Sequence, residues 1–328
     1  MINKVITVIN LGYIGDVLNI SPVTRALSQQ YPDSKIVVIT SPGSIEAAKF
    51  LPGVFDVVGF SRYAEHKGIK MLNFAFDFRK KYKTDTAIIL TENFRAAMLA
   101  FLIGAKKRIG KSFDGRDFLL TNPLKFSEEE KKLEIHVTEQ FASILSPLNT
   151  QITDFSLDFN FSQDVSAKFS DIISAQNPDY KKLLGFCPAA GSKDGILQIK
   201  TWDVQEACNF VQKINNQGQY KVVLIGQHAC EYFANHMRDK GQNDFIDLTH
   251  KTNISELGAV ISLFDKFVSV DSAPMHMAFA VKTPTVCLFF QDNHKKWGPN
   301  DKDNNVLLFD HHITSEKVLS AIERLEQD

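Results

Sequence analysis

The run 267–290, FVSVDSAPMHMAFAVKTPTVCLFF, leaves this chain few folds to choose from. Residues 267–270 read as a short buried strand, Asp271 and Ser272 are helix-capping types, and Pro274 falls where a first-turn residue needs no N–H. A helix begins there, and residues 283–289 supply another strand. The unpaired N–H groups that open the helix point, with the positive end of its dipole, beyond the strand's carboxyl end. That is an anion site, and His276 lies in the first turn, where it can add a hydrogen bond to a phosphate. The same residues also suit an ordinary strand-to-helix turn with a structural cap.

The amino-terminal half repeats the pattern. Residues 4–9 form a β-branched run suited to a central parallel strand, followed by Leu11-Gly12-Tyr13-Ile14-Gly15-Asp16 and a helix, with Pro22 implying a kink or a restart capped by Ser21. Strands over 35–40, 54–60 and 86–90 alternate with helices over 44–50, 70–83 and 95–103, as in a doubly wound sheet. Residues 105–109 read as an edge strand in the basic segment Gly104-Ala105-Lys106-Lys107-Arg108-Ile109-Gly110-Lys111-Ser112. That segment is not a P-loop, since five residues rather than four separate its glycines. It is either a solvated loop or a patch for an acidic acceptor such as a phosphorylated lipid or sugar. Residues 134–145 carry helical spacing with Glu134, His136 and Glu139 on the polar face, and the pattern weakens over 146–180.

Length makes two domains the default, here 1–165 and 166–328. A net charge of -1 gives no global pull toward nucleic acid or an anionic membrane. Cys187, Cys208, Cys230 and Cys287 form no CxxC pair, so neither a disulfide framework nor a zinc site is expected. The start MINKVITVIN reads as a strand rather than a signal peptide, and the apolar run 96–105 is too short to span a membrane. A cytoplasmic protein is expected, and a local basic patch leaves peripheral membrane contact open.

The second half restarts with a strand over 183–187 and a turn of small residues, Pro188-Ala189-Ala190-Gly191-Ser192-Lys193. Backbone N–H groups there can approach a ligand that Lys200 neutralises. A helix from about Val204, a strand over 221–225 ending at Gly226, a helix over 254–263, a polar loop over 291–300 holding Trp297 and a terminal helix over 315–326 complete the chain. No GxGxxG follows a predicted strand, which disfavours a nicotinamide dehydrogenase, and no HExxH-like pair supports a metalloenzyme. Asp301-Lys302-Asp303 has no apolar strand before it and reads as a solvated turn.

Over nearly its whole length the chain resembles the family 9 glycosyltransferases, the group that includes the lipopolysaccharide heptosyltransferases. The resemblance rests on Gly15-Asp16-Val17-Leu18 with the stretch 22–27, Phe94-Arg95 with the segment 104–110, and Glu134-Ile135-His136. It rests equally on Pro188-Ala189-Ala190-Gly191 with Lys200-Thr201-Trp202, and on Asp271-Ser272-Ala273-Pro274-Met275-His276 with Thr283-Pro284-Thr285. It implies a GT-B fold, two Rossmann-like α/β/α domains facing across a cleft, the acceptor mainly on the first and the nucleotide-sugar donor mainly on the second. The terminal helix, 315–327, could pack back on the first domain.

The resemblance also implies roles. Asp16 matches the family's general base, while Gly15, Tyr13, Arg95 and Lys107 stand on the acceptor side. Ala189, Ala190, Lys200, Gly226, Asp271, Ser272, Ala273 and His276 stand on the donor side, with no metal ligand among them. The family often has a basic residue where Asn10 stands and a glycine where Ala273 stands. The implied reaction is inverting transfer of a sugar, heptose from ADP-heptose, to a lipopolysaccharide-core or related glycan, without metal or cofactor. Another nucleotide-sugar enzyme of the same fold, a transferase or an epimerase, or a non-catalytic sugar-nucleotide-binding protein are the alternatives. Asp16 could also serve only as a helix N-terminal acid, Lys200 as a surface lysine and Trp202 as a packing residue.

Overall fold

The computed structural model describes residues 4–61, 68–192, 195–301 and 304–325. Two compact units account for it, Met1–Asp158 and Phe159–Asp328. The first is built on strands β1 (Val5–Asn10), β2 (Lys35–Thr40), β3 (Val54–Gly59), β4 (Thr84–Ile89), β5 (Lys107–Lys111) and β6 (Asn122–Leu124). All pair in parallel, in the order β3-β2-β1-β4-β5-β6. Every residue of β1 is buried, as expected of a central strand covered on both faces. The order reverses at β1 and β4, so the loops leaving their carboxyl ends flank the crevice where such sheets take ligands. Tyr13, Gly15 and Asp16 follow one of these strands and Arg95 the other.

The second unit has the same plan. Its strands are β7 (Lys182–Cys187), β8 (Ala189–Ser192), β9 (Gly195–Thr201), β10 (Tyr220–Leu224), β11 (Ile246–Asp247), β12 (Lys266–Val270), β13 (Thr285–Phe289) and β14 (Asn305–Phe309). The six-stranded sheet runs β11-β10-β7-β12-β13-β14, again parallel, and reverses between β7 and β12. The loops after those two strands carry Ala189, Ala190, Asp271, Ser272 and Ala273.

Several elements differ from the sequence reading. The basic strand is not at the edge, because β6 pairs outside β5. The strand β6 holds Pro123, which an edge position tolerates since its missing N–H would face outward. Residues 188–192 are not a free turn: β8 pairs antiparallel with β9, while Lys193 lies outside the described residues. The helix expected over 134–145 spans only Val137–Ile144, with His136 as its cap, its Nδ1 accepting the Thr138 N–H at 3.2 Å. The weak stretch contains a helix, Gln163–Ser174, that packs on Ile254–Ile261, and β14 and the helix His228–Asp239 had no sequence signal assigned to them.

Trp202 is a packing residue. Its ring meets Phe186 and Phe210 with centroids 6.0 and 5.6 Å apart, and its indole N–H donates to Ile313 O at 2.7 Å. Each such aromatic pair contributes about 0.5–1.5 kcal/mol beyond its buried area. The terminal helix, Ser315–Arg324, buries Val318, Ala321 and Ile322 and receives Lys266 Nζ at Ile322 O, 2.9 Å, within the second unit. Among the described residues no helix is long and apolar enough to cross a membrane.

Candidate functional site

In the second unit, Ser272 caps the helix Ala273–Ala280, with Pro274 in its first turn. Its hydroxyl, however, bonds Ser269 Oγ at 3.2 Å and makes no side-chain capping bond to the helix. Ser272, Ala273 and Pro274 are half-buried, whereas Asp271 and His276 are buried. A bare carboxylate in an anion-binding turn would repel the anion, and the structure shows what offsets it. Lys200 Nζ lies 2.6 Å from Asp271 Oδ2, the same oxygen accepts from Asn293 Nδ2 at 3.1 Å, and His276 Nε2 stands 4.0 Å from Oδ1. Asp271 therefore orients Lys200, with His276 near its other oxygen, and Asn293 is a member of the cluster that sequence reasoning missed. The rings of Phe279 and Trp297 pack edge-on against that of His276, with centroids 5.9 and 6.2 Å away.

Ala189, Ser272 and Gly226 gather around a buried thiol pair. Cys187 Sγ and Cys230 Sγ are 3.8 Å apart, and each lies 3.6 Å from Ala189 O. The Cys230 thiol is pushed well above its ordinary pKa by its hydrogen bond with Cys187 and by burial, and that of Cys287 by burial and the charge of Asp271. The same hydrogen bond, from Cys230, lowers the Cys187 pKa, and all three thiols are buried. Gly226 has φ 134°, and a Cβ there would sit 2.5 Å from Cys230 Sγ, so only glycine fits. A cavity of about 890 Å³ in the second unit is lined by residues including Ile199, Thr201, Tyr232, Gln291 and His311, and not by Lys200.

In the first unit Asp16 is half-buried in the short helix Ile14–Leu18, and its Oδ2 accepts the Tyr13 N–H at 2.7 Å. It is thus a helix-capping acid, through an oxygen that leaves Oδ1 out of that contact. Gly12 makes the fold-back possible, because a Cβ there would stand 2.5 Å from Asp16 Oδ2. Asn10 braces the turn, accepting the Gly12 N–H at 2.9 Å and donating to Asp16 O at 3.4 Å. Tyr13 is exposed and Gly15 half-buried.

Arg95 is half-buried in the helix Phe94–Leu102, capped by Asn93, whose Oδ1 accepts the Ala96 N–H at 2.8 Å. Lys107 is exposed on β5. Its basic neighbours serve the fold: Arg108 donates to Leu119 O and Ala105 O, and Lys111 pairs with Glu130 inside the unit.

The loop before Arg95 is held by Arg116, fully buried, which donates to Thr91 O, Asn93 O and Lys111 O at 2.7 to 2.9 Å. Burial lowers its pKa from the ordinary arginine value. Thr91 Oγ1 in turn accepts the Leu11 N–H at 2.7 Å, so the turn bearing Asp16 and the loop bearing Arg95 are fastened together. Lys302 and Asp303 lie outside the described residues, and Asp301 bonds Asn304 and Asn305.

Residues 78–324 match the model of glycosyltransferase family 9 (heptosyltransferase). Lipopolysaccharide heptosyltransferase 3 of Escherichia coli strain K12 is 27% identical over 301 residues, covering 88% of this chain and 83% of the relative. A family 9 glycosyl transferase from Veillonella parvula superposes with a TM-score of 0.85 at 21% identity, over 99% of this chain and 98% of that one. The E. coli ADP-heptose lps heptosyltransferase II follows at 0.80 and 18% identity, over 99% of each chain. These structural likenesses establish a GT-B fold of two Rossmann-like domains.

Proposed function

The chain belongs to glycosyltransferase family 9, and from that premise we propose that it transfers heptose from ADP-heptose to a lipopolysaccharide-core acceptor with inversion at the anomeric carbon. The observation that carries the donor half is the cluster in which buried Asp271 pairs with Lys200, with His276 near its other oxygen, at the start of the helix Ala273–Ala280. A diphosphate there meets the Lys200 ammonium, the His276 ring and the positive end of the helix. The names of the relatives support the sugar and the acceptor class.

In the reaction, the acceptor hydroxyl gives its proton to Asp16 while its oxygen bonds to the anomeric carbon. The bond from that carbon to the diphosphate oxygen breaks, and ADP leaves with the electron pair. Asp16 Oδ1 is the oxygen not used to cap the helix, and it serves as the base. Lys200 and His276 stabilise the charge that builds on the leaving oxygen. Tyr13, Gly15, Arg95 and Lys107 face the acceptor, with the two basic residues suited to its phosphorylated sugars. The direct test is release of ADP from ADP-heptose that depends on a heptose-deficient lipopolysaccharide core; release of equal size without acceptor would overturn the reading.

Two predictions arise here. Gly12→Ala keeps an allowed backbone, since Gly12 lies outside the left-handed region, but its methyl displaces the Asp16 carboxylate. Because a misplacement of about 1 Å can cost about 10²-fold in rate, kcat should fall by about that factor while ADP affinity stays unchanged. An unchanged kcat would mean the Asp16 carboxylate is not placed for the chemistry. Second, transfer should survive exhaustive chelation, as Lys200, His276 and the helix start neutralise the diphosphate without an ion. Activity that fell to background and returned with magnesium or manganese would sink this, and Asp301 and Asp303 would become the first residues to mutate.

A further inference from the structure

Histidines that the reaction leaves unused meet at the carboxyl edge of the second sheet. His228 opens the helix His228–Asp239, Glu231 lies one turn on, and His250 stands in the loop after β11. His250 has φ 58°, and its backbone N–H donates to Gly226 O at 3.0 Å, which fixes the loop beside the helix start. The two imidazoles pack edge to face with centroids 4.4 Å apart. Glu231 Oε2 lies 3.1 Å from His250 Nε2 and 3.6 Å from His228 Nδ1. One nitrogen or oxygen from each of the three residues lies within 4.8 Å of the others.

The hydrogen-bond roles add a stronger argument. His250 Nδ1 is 3.0 Å from Gln227 Oε1, an acceptor suited to the tautomer with its proton on Nδ1. In that tautomer Nε2 presents its lone pair to Glu231 Oε2, another acceptor, at 3.1 Å. Two acceptors at that distance repel unless positive charge lies between them. A proton could supply it for one nitrogen, but the same carboxylate oxygen also faces the His228 ring, and a cation engages all three groups at once. Gln227 takes the outer role typical of metal sites, where a ligating histidine donates its other N–H to an oxygen. The helix start opposes a cation there, and the Glu231 charge counters it.

We infer that His228, Glu231 and His250 form a binding site for a divalent transition-metal ion, separate from Lys200, Asp271 and Asp16. Two imidazoles and a carboxylate suit zinc and its neighbours in the series, with water completing the shell, and do not suit magnesium, which prefers an all-oxygen shell. The ion ties the loop after β11 to the helix His228–Asp239, and no step of sugar transfer passes through it.

The test is calorimetric titration of untagged, chelator-treated protein with zinc chloride and, in parallel, magnesium chloride. One zinc ion per chain should bind, magnesium should not, and zinc should raise the thermal midpoint. His250→Ala should weaken zinc binding at least tenfold, and Gln227→Ala by about 10-fold to 100-fold, since it only frees the ring tautomer. The double variant His228→Ala/His250→Ala should lose both the zinc heat and the zinc-dependent shift in midpoint while remaining folded. Zinc bound equally well by that double variant would place the metal elsewhere. No zinc uptake by the wild type would mean that a proton alone fills the gap between Nε2 and Oε2; either result overturns the assignment.

Discussion

Asp16→Asn should lose about 10²-fold to 10⁴-fold in transfer rate with ADP affinity unchanged, which is the range a positioned general base contributes. The substitution is chosen because the amide oxygen of asparagine can still accept the Tyr13 N–H that Asp16 Oδ2 accepts at 2.7 Å, so the start of the helix Ile14–Leu18 survives. What the amide cannot do is take a proton from the acceptor hydroxyl. Asp16→Ala removes both functions and should also lower the thermal midpoint, because losing a capping side chain costs about 0.5–2 kcal/mol. Comparing the two separates chemistry from capping. Near wild-type turnover in Asp16→Asn would leave Asp16 as a helix cap and nothing more.

Much of the architecture was legible because parallel strands buried on both faces are apolar runs. VITVIN and KIVVIT are strands by composition alone, and VITVIN is buried at every residue. The strand-to-helix turn at Asp271 was legible through its capping residues and Pro274. What escaped was decided by partners distant in sequence. β6 is three residues with a proline, and nothing local to NPL says that β5 waits beside it. The β8–β9 pairing is anchored through the backbone N–H of Trp202 on Pro188 O, 2.9 Å away, rather than through any turn signal.

The sites follow the same logic. Lys200 and Asp271 each carried a local signal, but the ion pair between them is a product of the fold, and it changes the part Asp271 plays. Asn293, in a stretch that read as a polar loop, had no signal of its own. Arg116 sits in the polar run DGRD, which reads as solvent-exposed, yet its side chain is buried and spans three backbone carbonyls. A local pattern assigns types of residue to a turn. Which charge faces which is fixed only when the sheet order brings β7 beside β12.

Lys200→Met should weaken ADP binding at least tenfold, since a charge-assisted hydrogen bond to phosphate is worth roughly 1.5–3 kcal/mol. The pairing with Asp271 makes the single change worse than the loss of one contact. With the ammonium gone, the Asp271 carboxylate stays in the turn, 8% exposed at its side chain, and repels the incoming diphosphate. The double variant Lys200→Met/Asp271→Asn removes that repulsion while asparagine keeps an oxygen for the Asn293 N–H, so it should regain part of the lost affinity. Measured as a cycle, the two changes should therefore couple, with Asp271→Asn harmful beside an intact Lys200 and helpful beside Met. His276 enters the same balance from the other carboxylate oxygen, and His276→Ala should also lower ADP affinity, leaving Lys200 as the remaining cation. Calorimetry on the four members of the cycle decides the matter. If Lys200→Met binds ADP as the wild type does, the ion pair is a structural brace and the donor phosphates lie elsewhere; if the double variant binds more weakly than Lys200→Met, Asp271 itself contributes to holding the donor, through Asn293 and His276 rather than through the lysine.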